Sequence, residues 1–377
     1  MKHKALFIVI LFFLLGCKQE QSSTDILTLS VDLEQSPLQY DDVFSNAEII
    51  PLETTDSSLI AVITDIVEYK SNYYIHDIRS VKALAFDHKG KFICQLGKKG
   101  QGPGEHSWLA SIAIDRENDI IHLVEPLGRF HNYSPDGKYI NSPKYPDGND
   151  YQHLHHFDNY MAAWTISSGS QSDCIIIFNP ETMEIVNSYC NGARFLNTGD
   201  FYTYNDELYH YQKLELYRRV YKVSKDSLTL LYQWDFGNDN FDMYDLDLTY
   251  KDENYAKEYD LFWRYMKDGT VPYLVVEQAQ NNNYYYACLR FQYKYDKSVF
   301  YRKSDGKYLV FGEEDWPMKT NSHVFTDDYM IIALNPDNYE NFKPYLPDSE
   351  RKKLDTLTED DNPCLLKLYF KSKQNAP

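Results

Sequence analysis

The chain reads as an all-β protein, a six-bladed β-propeller with one helical insert. Three observations predict it. First, a pattern of short strands and polar turns repeats along the chain: Phe86, Tyr133, Phe178, Tyr221 and Phe300 lie at equivalent points, 47, 45, 43 and 79 residues apart. A period of 40–50 residues with four strands per unit is propeller spacing. Second, Tyr is over-used, 34 of 377 residues, and aromatics reach 16%. Aromatic side chains suit pleated, half-buried surfaces. Third, Gly or Asp recurs at the turns, as in Asp87-His88-Lys89-Gly90, Ser134-Pro135-Asp136-Gly137 and Ser304-Asp305-Gly306. These residues tolerate the backbone conformations that hairpins need.

The chain opens with an address. Two lysines in Met1–Lys4 precede an unbroken apolar run from Ala5 to Leu15. Eleven apolar residues are too few to span a bilayer, but they form the core of an export signal. The run ends in Leu14-Leu15-Gly16-Cys17, which looks like a bacterial lipobox. Cleavage before Cys17 and acylation of its thiol are expected, so 1–16 is a lipoprotein signal peptide and 17–44 a tether. The mature chain then has a lipid-anchored partner, the membrane, and a place in the bacterial cell envelope. An outer-membrane location is expected, with either a periplasmic or a surface-facing body. Removing Lys2 and Lys4 takes the formal charge from −18 to −20. A chain this acidic repels phosphate backbones, which argues against a nucleic-acid partner.

Five units follow in order, 63–97, 109–143, 151–191, 200–237 and 271–312, inside a propeller domain spanning 45–377. The long last step holds an insert at about 250–268. There Tyr255, Tyr259, Phe262, Trp263 and Met266 form one apolar helical stripe, and Gly269 suits the helix end. A sixth unit has strands at Ser322–Phe325, Tyr329–Asn335 and Cys364–Lys371, one short of four. The strand Ala47–Leu52 is expected to supply the fourth and close the ring. A second short helix is expected near Asp348–Leu357, capped by Asp348 or Ser349. Of the cysteines left after Cys17, Cys174 and Cys190 flank one hairpin and would lie nearly opposite. A disulfide or two separate thiols are both open at this point.

Three segments carry a family likeness. Gly97-Lys98-Lys99-Gly100-Gln101-Gly102-Pro103-Gly104-Glu105, Ile50-Pro51-Leu52-Glu53-Thr54 and Asp361-Asn362-Pro363 resemble signatures of six-bladed β-propeller lipoproteins of gut-type bacteria, relatives of NHL-repeat propellers. The resemblance spans about residues 45–371 and implies the fold without implying a settled activity. It departs at His106, where the family has an aromatic. A strand, Leu109–Asp115, rather than a helix follows the glycines, which argues against a phosphate-cradling loop.

Candidate sites come from the loops on one face of the ring. Asp77-Ile78-Arg79, Glu125–Arg129 and Arg218-Arg219, with Glu105 and His106, are expected to line a polar funnel. Arg79, Glu105, His106 and Arg129 are the candidate ligand-binding residues. Arginines pair carboxylates bidentately, so an anionic ligand or a peptide terminus is the expected guest. The alternative is that these charges hold the blades together. Gln152-His153-Leu154-His155-His156 puts His153 and His155 on one strand face, candidates for a metal in the central channel. Tyr284-Tyr285-Tyr286 reads as sheet surface more than as a sugar platform. No Gly-x-Ser-x-Gly or HExxH motif is present. The expected function is therefore a non-catalytic binding module for a peptide, glycan or envelope protein, without a defined cofactor. The alternative is a propeller lyase or hydrolase with a channel metal.

The lipobox is tested by labelling cells with a palmitate analogue. The full chain is expected to take up the label, and Cys17→Ala to lose it entirely.

Overall fold

The computed structural model describes residues 26–166, 174–190, 198–213, 218–241, 255–292, 294–312 and 322–371. Among these residues the strands form six sheets around a central axis, a six-bladed β-propeller. The signal peptide and Cys17 lie outside the described residues.

Each blade is an antiparallel meander running from the axis outward. Blade 1 is Ile63–Tyr69, Asn72–Asp77, Lys82–Asp87 and Phe92–Leu96. Blade 2 is Ser111–Asp115, Ile120–Val124, Phe130–Tyr133 and Tyr139–Asn141. Blade 3 is Asp150–Phe157, Tyr160–Ile166, Cys174–Phe178 and Ile185–Cys190. Blade 4 is Thr198–Tyr204, Glu207–Lys213, Arg219–Val223 and Leu228–Asp235. Blade 5 is Tyr273–Gln280, Tyr284–Phe291, Tyr295–Arg302 and Tyr308–Phe311. Blade 6 takes Ser322–Phe325, Tyr329–Leu334 and Cys364–Phe370 from the end of the chain. Its outer strand is Phe44–Pro51, which pairs antiparallel with Cys364–Phe370 and closes the ring as expected.

The core lies between blades, because a four-stranded sheet covers neither of its faces alone. Tyr74, Ala85 and Leu96 of blade 1 meet Leu109, Ile112 and Leu123 of blade 2. Trp164 and Ile175 of blade 3 meet Phe201, Leu208 and Val223 of blade 4. Ile331 and Leu365 of blade 6 meet Ile66, Ile75 and Leu84 of blade 1. The tyrosine excess goes into these seams: Tyr284 and Tyr286 are buried, with Tyr286 stacked 5.0 Å from Phe325 of blade 6.

The expected tether is corrected from Leu27 onward. Leu27–Ser30 pairs in parallel with Leu228–Asp235 and adds a fifth, outermost strand to blade 4. Val31, Leu33 and Leu38 are buried beyond it. The Leu38 N–H donates to Tyr308 O at 3.0 Å, along the outer strand of blade 5. A helical turn, Tyr40–Val43, then leads into the closing strand. The segment looks polar in sequence because only alternate residues face inward, as Leu29, Val31 and Leu33 show.

The helices match expectation in place and differ in one cap. Tyr255–Asp268 is a helix with Phe262 and Met266 buried, and Gly269 follows at φ +84°. The short helix is Asp348–Leu354, but its cap is Pro347 and Asp348 is its first residue. The Glu350 and Arg351 N–H groups donate to Pro347 O, so the proline carbonyl starts the helix. This helix covers the exposed edge of the closing strand. Ile49 N–H donates to Glu350 Oε2 at 2.8 Å, and Lys353 Nζ donates to Ile49 O at 3.1 Å. In blade 3 the register places Cys174 directly opposite Cys190, the spacing a cross-strand disulfide needs. Their side chains lie outside the described residues.

Two of the family signatures prove to be one joint. Asn362 is buried where the chain enters its last strand. Its Oδ1 accepts from Ile60 N–H at 2.8 Å, and its Nδ2 donates to Glu53 O and Ser58 O at 2.9 Å each. The amide thus ties the Leu52-Glu53-Thr54 signature to the Asp361-Asn362-Pro363 signature across the seam of blades 6 and 1. Asn362→Ala leaves three buried backbone groups without partners. It is expected to lower unfolding free energy by roughly 2–4 kcal/mol, read by chemical denaturation.

Candidate functional site

The loops joining blades share one face of the ring with the turns between second and third strands. The face is built from saturated carboxylates. Asp77 accepts from the N–H groups of Ala61, Arg79 and Ser80 at 2.7–3.1 Å. Glu105 Oε2 accepts from the N–H groups of Gln101 and Gly102 at 2.9 and 2.8 Å. Those amides and Lys98, 3.1 Å away, hold its carboxyl below the usual range. A Cβ on Gly100 would sit 2.0 Å from Glu105 Oε2, which explains that glycine. His106 is fully buried, with Nε2 3.2 Å from Val81 O. Glu125 accepts from Ser107 N–H at 2.9 Å and lies 3.1 Å from His131 Nε2.

These contacts correct the expected funnel. Glu105 folds its own loop and His106 is core. Arg79 and Arg129 are exposed on this face but line no cavity. The carboxylates here bind backbone amides rather than arginines, so the blade-holding alternative holds with a different partner.

The cavity is elsewhere. A space of about 1610 Å³ runs along the six inner strands and reaches the opposite face. At that mouth stand the turns between first and second strands, including Lys70, Arg116, Asp158 and Asp206. An arm of it enters the seam between blades 2 and 3, where Asn132, Asn141 and Met161 line it. The lining is acid-rich: Asp65, Glu68, Asp115, Glu117, Asp158, Glu181, Asp200, Asp206 and Glu277 stand against Lys70 and Arg116. Such a lining attracts cationic or neutral polar guests and disfavours anions, reversing the expected ligand charge.

The histidines of blade 3 are divided by strand alternation. His153 and His155 do share a face, and both turn to blade 4. His153 Nδ1 lies 3.4 Å from Asp200 Oδ1, and His155 Nε2 lies 2.9 Å from Thr203 Oγ1. They do not meet in one ligand set. His156, on the other face, turns to blade 2. Its Nε2 lies 2.8 Å from His122 Nε2, and its Nδ1 lies 3.8 Å from Asp115 Oδ2. Asp115, His122 and His156 offer three ligand atoms within 4.8 Å of one another. Burial pushes His122 down to about 3 and His156 down to about 4, so both imidazoles are neutral near pH 7. Sequence reasoning missed Asp115 and His122. The signal was there: His122 is the one polar residue in Ile120-Ile121-His122-Leu123-Val124.

The fold and the axial cavity define the class: a six-bladed propeller with an acidic, histidine-bearing pocket open at one end. Residues 26–369 match the family described as a domain of unknown function, DUF4934, and the chain belongs to that family. Among solved structures it is similar to a Bacteroides fragilis protein named as a candidate exported protein. The two are 18% identical with a TM-score of 0.71, covering 92% of this chain and 100% of that one. It is also similar to a DUF4221 family member from Bacteroides vulgatus, 9% identical with a TM-score of 0.53, over 88% and 99% of the two chains. At these identities the likeness is one of fold. No curated protein matches the sequence.

Two histidines outside the cluster set a pH response. Burial pushes His76 and His210 down to about 4. Both stay neutral in the folded chain, while in the unfolded chain they charge below about pH 6.5. The unfolded state then binds more protons, so stability falls as pH drops from about 6.5 toward 4. The melting temperature is expected to decline across that window, and His76→Leu to flatten the decline.

Proposed function

We propose that the chain is a lipid-anchored envelope protein that holds a polar ligand, a glycan or a peptide, in its central cavity. The observation that carries this reading is the cavity itself: about 1610 Å³, large enough for an oligosaccharide or several residues of peptide, lined by carboxylates, imidazoles and tyrosines. Tyr202 and Tyr204 on the inner strand of blade 4 and Tyr329 of blade 6 offer ring faces and hydroxyls to such a guest. The acidic lining selects neutral or cationic ligands.

The anchor fits this reading geometrically. Leu27–Ser30 runs parallel to the outer strand of blade 4, whose direction is away from the cavity-mouth face. The chain therefore enters the propeller from the mouth side. Ten residues from Cys17 to Leu27 span at most about 36 Å. An acylated Cys17 would keep the mouth within that distance of the membrane surface.

Isothermal titration with neutral oligosaccharides, cationic peptides and anionic peptides tests the reading. Neutral or cationic ligands are expected to bind, with Tyr204→Ala and Asp200→Asn each weakening binding about tenfold, or about 1.4 kcal/mol. Arg79→Ala and Arg129→Ala are expected to change nothing. Binding of anionic peptides alone, lost in the two arginine variants, would move the site to the opposite face and overturn the reading.

A further inference from the structure

The seam between blades 2 and 3 carries a feature that ligand binding in the cavity does not require. Asp115 ends the inner strand of blade 2, His122 lies on its second strand, and His156 lies near the end of the inner strand of blade 3. All three line the cavity. We infer that Asp115, His122 and His156 form a binding site for one zinc-like divalent cation, with a coordination position left open to the cavity.

Four observations carry this. The ligand atoms come from two blades and three strands, and converge within 4.8 Å, close enough for one ion bonded at about 2.0–2.2 Å to draw them together. His122 is aimed by an outer shell. Its Nδ1 lies 2.6 Å from Asn132 Oδ1, and Asn132 Nδ2 donates to Asn141 Oδ1 at 2.7 Å. The Asn132 oxygen is an acceptor, so Nδ1 carries the proton and Nε2 turns its lone pair toward His156. A ring held by its far nitrogen is the usual support of a metal-bound histidine. Asp115 is aimed as well: its Oδ1 accepts from Glu117 and Asn118 N–H at 3.0 Å each, and its Oδ2 from Asn118 Nδ2 at 2.8 Å. Finally, the seam is apolar around the polar trio, with Phe130 edge-on to His122 at 5.3 Å, which limits competition by water.

The ligand chemistry selects the ion. Two imidazoles and one carboxylate suit Zn²⁺ and its neighbours in the transition series, while Ca²⁺ and Mg²⁺ prefer all-oxygen sets. Three protein ligands leave a fourth position, and here it faces the cavity. An ion held there would bind an oxygen or nitrogen of the guest directly. The rival account is a proton shared between the two Nε2 atoms, with no ion.

The test uses the full chain, solubilised in detergent, stripped with a chelator and titrated with Zn²⁺. One equivalent is expected to bind. His156→Gln and Asp115→Asn are each expected to weaken it at least about 100-fold, and Asn132→Ala about tenfold. Asp115→Asn retains the acceptor for its turn, so it reports on the ligand charge even if His156→Gln fails to fold. His155→Gln, a cavity histidine outside the trio, is expected to bind Zn²⁺ as the unaltered chain does. Co²⁺ in place of Zn²⁺ is expected to give visible d–d absorption that Asp115→Asn removes. Absence of stoichiometric binding, or full affinity in both His156→Gln and Asp115→Asn, overturns the site and leaves the shared proton.

Discussion

Everything in this molecule depends on closing the ring. A blade can bury its two faces only against its neighbours, so an open ring would expose the seam faces of its first and last blades and a free strand edge. The closure here is a strand from one end of the chain laid on a strand from the other: Phe44–Pro51 on Cys364–Phe370. Sequence separation makes this pairing costly to find, because its loop entropy is set by over 300 residues. Burial of Ile49, Ile50, Leu365 and Leu366 on its two faces offsets that cost.

The closure is reinforced from three sides. Asn362 joins the last strand to the loop that opens blade 1. Glu350 and Lys353 bond the edge N–H and C=O of Ile49, so the outer strand does not present them to another chain. The segment from Leu27 to Val43 straps blades 4, 5 and 6 before the closing strand begins, and Lys297 of blade 5 donates to Leu33 O at 3.1 Å. One continuous stretch of about 25 residues therefore touches half the ring. Polar edges and a covered rim are general answers to the hazards of sheet edges.

Much of this was legible before any coordinates. The aromatic period gave the blades, and the missing fourth strand of blade 6 gave the closure, because both are local patterns with a fixed repeat. The helical insert was legible from its apolar stripe. The strap was not, since Leu27–Ser30 alternates apolar and polar residues for only four positions and sits among Ser, Gln and Glu. The site was least legible. The Gly-rich loop drew attention to Glu105 and His106, but a glycine-rich turn needs its own internal hydrogen bonds, and Glu105 supplies them. Charge in a loop reads alike whether it meets ligand or backbone. The histidine run on blade 3 was conspicuous, yet strand alternation sends His156 one way and His153 and His155 the other. The partners of His156 lie on the neighbouring blade, 34 and 41 residues away in sequence, at His122 and Asp115. No local spacing encodes a contact across a seam.

The two faces of the ring consequently differ in kind. On the face of the joining loops, Asp77, Glu105 and Glu125 accept from backbone amides of their own neighbourhood. Their charge is spent on fixing turns, and fixing turns there sets the stagger from one blade to the next. On the cavity side, the inner strands end with side chains aimed along the axis, where no blade backbone needs them. A propeller separates these tasks because the joining loops must have set lengths, whereas the opposite turns only reverse direction and are free to vary. The acidic groups and imidazoles gather at the cavity end for that reason. The trio of Asp115, His122 and His156 sits where the two regimes meet: deep enough in a seam to be held by Asn132 and Asn141, and near enough to the mouth to face whatever enters.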